Sequence, residues 1–323
     1  MAGAHPSITI VTPCLNGARY LVAALESVRR QRDPELEHVV IDGGSTDGTL
    51  ELLARYPDVR TISEPDLGSH DALNKGVRHA RGDVICFLMS DDILADGAVA
   101  EVVRAFAEDP ALDTVAGRVI AFQGSSNGSS TLVVARDHAI DDGFWLPELI
   151  FGAPGFTGRF FHRRLFERIG GFDVGHYRFG GDRDFLLRLA FSRPKARTLP
   201  RPTMYIRIHS GAATFNPEMR HVAAFALENL KMSRAFQGAL SNAPAERSML
   251  AAWHAFEALR LLVRAPGRVG LGELGRALAC AFRHDPFLPL RLPRAFALRA
   301  AVRAAEASST RAARTELVPI PAS

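Results

Sequence analysis

The sequence predicts an α/β protein, with a mostly parallel sheet flanked by helices and a helical C-terminal extension. Short apolar or β-branched runs recur at residues 8–11, 37–41, 59–62 and 84–88. Helical patterns separate these runs, and strand signals cease from Pro217 onward. Strands alternating with helices over short connections call for a parallel sheet whose two faces the crossover helices cover.

Each element rests on its own periodicity. Leu21, Leu25 and Val28 share one helical face, as do Leu50, Leu53 and Ala54. Residues 71–80 and 97–107 read as the third and fourth helices, and residues 114–122 and 131–135 as a hairpin around the loop 123–128. Residues 182–191 carry Phe185, Leu186 and Leu189 at helical spacing, and 203–208 are strand-like. Residues 251–263 mix Trp253, Phe256, Leu259 and Leu262 with Arg260, the pattern of an amphipathic helix.

Composition narrows the class. The 323 residues hold 39 Lys+Arg against 35 Asp+Glu, a surplus too small and too scattered to predict nucleic-acid binding. Hydrophobic content of 47% and charged content of 23% are those of a globular chain. Cys14, Cys86 and Cys280 are odd in number and far apart, so no disulfide framework is expected and a reducing cytoplasm is. Residues 1–7 lack a secretory pattern, and no run of about 18 apolar residues occurs.

Open parallel sheets bind ligands beyond the carboxyl ends of their strands, so chemistry is expected just after each apolar run. The first run is followed by Thr12-Pro13-Cys14-Leu15-Asn16-Gly17, where Pro13 sets the chain direction and Gly17 is expected to open a helix with N–H groups facing the crevice. After the second comes Asp42-Gly43-Gly44-Ser45-Thr46-Asp47-Gly48-Thr49. Its paired glycines would let a ligand approach the backbone, Asp42 would accept from a base or ribose, and one of Ser45, Thr46 or Asp47 would cap the next helix. The fourth run leads into Ser90-Asp91-Asp92. Adjacent carboxylates beside a low-dielectric core call for a cation, and Mg²⁺ or Mn²⁺ binds through one or two carboxylates plus substrate phosphates. A helix cap at 93–97 is the competing reading of that pair.

The strings TPCLNGARYLVAALESVRRQ, VIDGGSTDGTLELL, SEPDLGSHDALNKG and RGDVICFLMSDDILADGA, in this order and spacing, resemble family 2 glycosyltransferases with the Rossmann-like GT-A fold. A looser match continues through RRLFERIGGFDVGHYRFGGDRDFLLRLA, so about two-thirds of the chain is covered. The resemblance implies an inverting transfer from a nucleotide-diphospho-sugar to an acceptor hydroxyl of a saccharide or lipid-linked acceptor, as in bacterial surface-polysaccharide or glycolipid assembly. It implies donor contacts from Thr12, Pro13, Asn16, Asp42, Asn74, Lys75, Ser90 and Asp91, and metal ligation by Asp91, Asp92 and His209. Met89 stands where the family often has an acid or Asn, which makes Asp92 the expected direct ligand and places Asp91 nearer the ribose. The catalytic base maps onto Asp182 in Gly181-Asp182-Arg183-Asp184, with Gly181 where Glu is common; Asp184 has the i+4 spacing of a salt bridge to Arg188. Trp145 and His162 are candidates for the acceptor site or for core packing.

The expected division is 1–216 as the GT-A domain (1–112 binding the nucleotide sugar, 113–216 carrying acceptor and base) and 217–323 as the helical extension. That extension is expected to pack on the catalytic domain or a second copy. Its functional alternative is peripheral docking on the anionic inner face of a membrane through Arg291, Arg294, Arg299 and Arg303. A non-catalytic nucleotide-sugar-binding module and a sugar nucleotidyltransferase are the rival functions. The second usually has a Gly-rich, Lys- or Arg-bearing phosphate loop after its first strand, which 12–17 does not contain. A dehydrogenase would need GxGxxG there.

Overall fold

The computed structural model describes residues 5–124, 130–136, 146–152, 155–209, 222–239, 244–264, 271–285, 287, 293, 296–302 and 304. Its first half has the alternation expected from sequence: β1 (Ile8–Cys14), α1 (Leu21–Arg29), β2 (Leu36–Asp42), α2 (Thr49–Leu53), β3 (Arg60–Ser63), α3 (Ser69–His79) and β4 (Val84–Phe87). The order β3-β2-β1-β4 is parallel throughout, with Cys14 level with Asp42 and Val11 level with Phe87. The ends of β1, β2 and β4 therefore open on one side, beside the switch in strand order.

Beyond β4 the sheet is mixed, and this the alternation did not reveal. After β5 (Ile93–Leu94) and α4 (Ala98–Glu108) comes β6 (Thr114–Gly124), paired as a hairpin with β7 (Ser130–Arg136). Then follow α5 (Leu146–Phe151), β8 (Arg159–His162), α6 (Arg164–Ile169), α7 (Gly181–Phe191) and β9 (Ala196–Arg207). β8 lies antiparallel between β4 and β6, while β9 runs parallel to β6 and antiparallel to β5. Residues 93–94, weighed as part of a helix cap, instead pair with Met204 and Tyr205, and that pairing carries the chain from Asp92 to the far edge of the sheet.

The extension is helical: α8 (Val222–Ala239), α9 (Pro244–Arg264) and α10 (Leu271–His284). α8 and α9 join one apolar cluster with the sheet domain, in which Met232, Phe236, Leu250 and Trp253 pack with Phe185, Leu186 and Phe151. Of the apolar face expected of residues 251–263, Trp253 is fully buried and Phe256 and Leu259 are half-buried, while the Leu262 side chain lies outside those described. Of the arginines considered for membrane docking, Arg299 lies over the Phe256 ring at 3.8 Å from its centroid, while Arg291, Arg294 and Arg303 fall outside the described residues. Trp145 falls outside them as well. Among the described residues no helix is long and apolar enough to cross a membrane.

Candidate active site

The loops after β1 and β2 lock onto each other. The N–H groups of Asn16, Gly17 and Ala18 donate to Ser45 Oγ, Thr49 Oγ1 and Asp47 Oδ2 at 2.7, 3.0 and 3.1 Å. Asn16, held at φ 53°, accepts in turn from the Thr46 N–H at 2.9 Å. The expectation that Gly17 opens a helix with its N–H groups facing the crevice is thus corrected: α1 begins at Leu21, and the second loop takes those donors. Asp47 Oδ1 accepts from the Thr49 N–H at 3.1 Å at the head of α2, although Gly48 is the residue in the cap position.

Asp42 is buried and acts first on its own loop. Its carboxylate accepts from the N–H groups of Gly44 and Ser45 and from Ser63 Oγ. Burial pushes its pKa up, but the hydrogen bonds from Ser45, Ser63 and Gly44 outweigh this and hold it below the usual carboxylate value. Gly43, whose missing side chain was expected to admit a ligand, faces Asp66: a Cβ there would lie 2.5 Å from Asp66 Oδ2. Asp66, which sequence reasoning did not single out, thereby stands at the end of β2.

Other expected donor contacts are engaged elsewhere. The Thr12 hydroxyl shares a hydrogen bond with His38 Nε2 at 2.9 Å inside the sheet, and Pro13 is buried beside it. Asn74 spends both ends of its amide on the Phe172 backbone, at 2.8 Å each. Lys75 is nearly buried, donating to the Pro65 carbonyl at 2.6 Å and pairing with Glu64 at 3.0 Å, so it braces the loop before α3. Ser90 lies against the first loop, its Oγ 3.4 Å from the place a Gly17 Cβ would take.

The acidic pair is split by burial, and Asp92, the expected direct ligand, is the buried member. Asp92 is 2% exposed and accepts from the Arg207 N–H at 3.0 Å. Burial and the neighbouring Asp91 push its pKa well up. Asp91 is the accessible member, with Oδ2 2.8 Å from His209 Nε2. Tyr20 and Arg207 complete this corner: the Tyr20 ring centroid is 4.7 Å from that of His209, and the Arg207 guanidinium lies 4.9 Å from the Tyr20 centroid. Among the described residues no three His, Cys, Asp or Glu side chains converge as a metal cage.

Asp182 stands in the first turn of α7 with its side chain 40% exposed. His70, from the first turn of α3, donates Nε2–H to Asp182 Oδ1 at 2.5 Å and stacks on Phe172 with centroids 4.9 Å apart. Gly181 makes this possible, because a Cβ there would lie 2.9 Å from the His70 ring. Asp184 is buried and grips Arg188 through Nε and Nη2 at 2.8 and 2.6 Å, the salt bridge its spacing predicted. His162 pairs with Val84 at the start of β4, the end of the strand away from Asp91, and its ring contacts Phe106.

The α7 end is also held from the extension. Glu228 of α8 accepts from the N–H groups of Arg178, Phe179 and Gly180 at 3.0, 2.9 and 2.7 Å, immediately before Asp182. Neither His70 nor Glu228 carries a sequence signal of its own, since only the fold brings them to α7.

The parallel strand order β3-β2-β1-β4, with an acidic pair after β4 and a carboxylate heading α7, has the layout of a GT-A-type transferase. The glycosyl transferase family 2 model matches residues 9–170, and the chain belongs to that family. A PGL/p-HBAD biosynthesis glycosyltransferase of Mycobacterium tuberculosis is 36% identical over 202 residues, which span 59% of this chain and 72% of the relative. Chondroitin synthase of Escherichia coli is 36% identical over 140 residues, 41% of this chain and 20% of that one. In fold, the chain is similar to S. aureus TarS 1-349 in complex with UDP-GlcNAc, with TM-score 0.60 and 17% identity over 95% of this chain and 90% of the other. The chain is a glycosyltransferase of GT-A fold.

Proposed function

We propose that the protein transfers a sugar from a nucleotide-diphospho-sugar to an acceptor hydroxyl with inversion, using Asp182 as general base. The accessible Asp182 carboxylate, anchored by His70, carries this reading. His70 occupies Oδ1 and so leaves Oδ2 to accept the acceptor proton. The oxygen freed of that proton attacks the anomeric carbon as the bond to the nucleoside diphosphate breaks on the opposite face.

Asp91 and His209 would hold a divalent cation, because their accessible oxygen and nitrogen converge at 2.8 Å beside the crevice. Two protein ligands suit an ion that completes its shell with donor phosphates. When bound, it would offset charge on the departing diphosphate. The exposed Leu15 and Asn16 after β1, with Asp66 beside the end of β2, stand where the nucleoside would lie, and the buried Asp42 would shape that loop from beneath. The names of the mycobacterial relative and of chondroitin synthase support assembly of a glycolipid or polysaccharide as the setting.

The test is a calorimetric and product-release screen of UDP-, dTDP- and GDP-sugars with and without Mn²⁺, repeated with Asp182→Asn. The variant is expected to bind donor normally and to lose transfer by at least a hundredfold. Near-normal transfer would falsify the assignment of the base.

A further inference from the structure

A cavity of about 190 Å³ adjoins Asp182 on the side of the helical extension. Asp182 lines it from α7 and Phe225 from α8; Phe256, Glu257 and Arg260 line it from α9, and Arg299 from the helical stretch 296–302. Its walls combine two chemistries. Phe225 and Phe256 give aromatic surface, with the Arg299 guanidinium 3.8 Å from the Phe256 centroid. Glu257 is 2% exposed, and its carboxylate meets Arg260 Nη1 at 3.4 Å and Trp253 Nε1 at 3.3 Å.

Helix packing alone does not account for this composition. Apolar side chains of similar volume would join the helices at least as well as buried charges, and interiors keep few voids larger than a water. A concave space with aromatic walls and a few convergent polar groups is the form of a ligand site. Guanidinium groups cover one face of each ring, Arg183 over Phe225 at 5.2 Å and Arg299 over Phe256. A sugar ring would therefore use the opposite face or the ring edge together with the polar groups. Its C–H face suits the electron-rich face of Phe, and its hydroxyls both donate to a carboxylate and accept from guanidinium groups.

We propose that this cavity is the acceptor site, taking the terminal sugar of a saccharide acceptor with its reacting hydroxyl at Asp182, so that the helical extension sets acceptor specificity. The proposal rests on Asp182 being the base. The extension already reaches the catalytic helix through Glu228, so acceptor site and base share one support.

The test uses the full chain and a panel of methyl and p-nitrophenyl hexosides and deoxyhexosides, read by saturation-transfer NMR, with UDP plus Mn²⁺ titrated by calorimetry in parallel. At least one glycoside is expected to show saturation transfer in the wild type. Arg260→Ala and Glu257→Gln are expected to weaken that binding at least fivefold, with UDP binding and melting temperature close to wild type. Saturation transfer from no glycoside, or undiminished binding in folded variants, would overturn the acceptor site. If instead the wild type binds no UDP and hydrolyses no nucleotide sugar, the transferase reading fails, while the glycoside signal still decides the cavity. If Glu257→Gln does not fold, the partly exposed Arg260→Ala decides alone.

Discussion

His70 Nε2 lies 2.5 Å from Asp182 Oδ1, joining the first turn of α3 to the first turn of α7 across 112 residues of sequence. The contact orients the carboxylate and dedicates one of its oxygens. His70→Ala is expected to lower kcat by roughly tenfold to a hundredfold, a part of the roughly 10²–10⁴-fold that general-base catalysis supplies, and to leave the donor KM near its wild-type value. His70→Gln, whose amide can still donate, should recover part of the loss. Equal changes in kcat and donor KM in both variants would count against a positioning role.

The Asp91–His209 pair makes a prediction that separates the two adjacent acids. Asp91→Ala and His209→Ala should each abolish the Mn²⁺-dependent part of UDP binding in calorimetry. Asp92→Asn should act mainly on stability, since its carboxyl is buried against the Arg207 N–H. Metal-dependent binding that survives Asp91→Ala and disappears in Asp92→Asn, with the melting temperature unchanged, would reverse the assignment.

Glu228 satisfies three consecutive backbone donors ahead of α7. Removing it with Glu228→Ala should cost about 1–3 kcal/mol, the penalty for leaving such groups unpaired, and should lower kcat by loosening the helix that carries Asp182. Glu228→Gln keeps an acceptor oxygen and is expected to be milder in both urea denaturation and turnover.

His38 gives a pH dependence of stability. Burial lowers its pKa from 6.5 to about 4. Above pH 6.5 the ring is neutral folded or unfolded; between 6.5 and about 4 only the unfolded chain takes up the proton. The fold should therefore lose stability through this site as pH falls across that window, by up to about 1.4 kcal/mol per pH unit. His38→Gln should flatten the acid limb of a plot of melting temperature against pH. A limb of unchanged slope would show that His38 does not govern it.

The parallel half of the fold was legible because its strands hold short apolar or β-branched runs bounded by polar residues and its helices repeat at 3.6 residues. The mixed half was not. β8 has four residues, β5 has two, and their positions depend on pairing with β4, β6 and β9 rather than on any local pattern. Asp182, Asp91 and His209 could be proposed from sequence because a family motif or a strand end marks them. Asn74 and Lys75 come from another string of the same family resemblance, SEPDLGSHDALNKG, yet their side chains are committed to Phe172, Pro65 and Glu64.

By itself the sequence determined the chemistry available: a carboxylate heading a late helix, an acidic pair after the fourth strand, and an alternation that forces a crevice between strand ends. Only the tertiary structure decided which of two neighbouring acids is open, because a backbone N–H from β9, more than a hundred residues away, buries Asp92 and leaves Asp91 to His209. It also brought His70 and Glu228 to α7 and placed the helical extension beside Asp182. These contacts join residues far apart in the chain, and no periodicity or spacing records a meeting that packing alone creates.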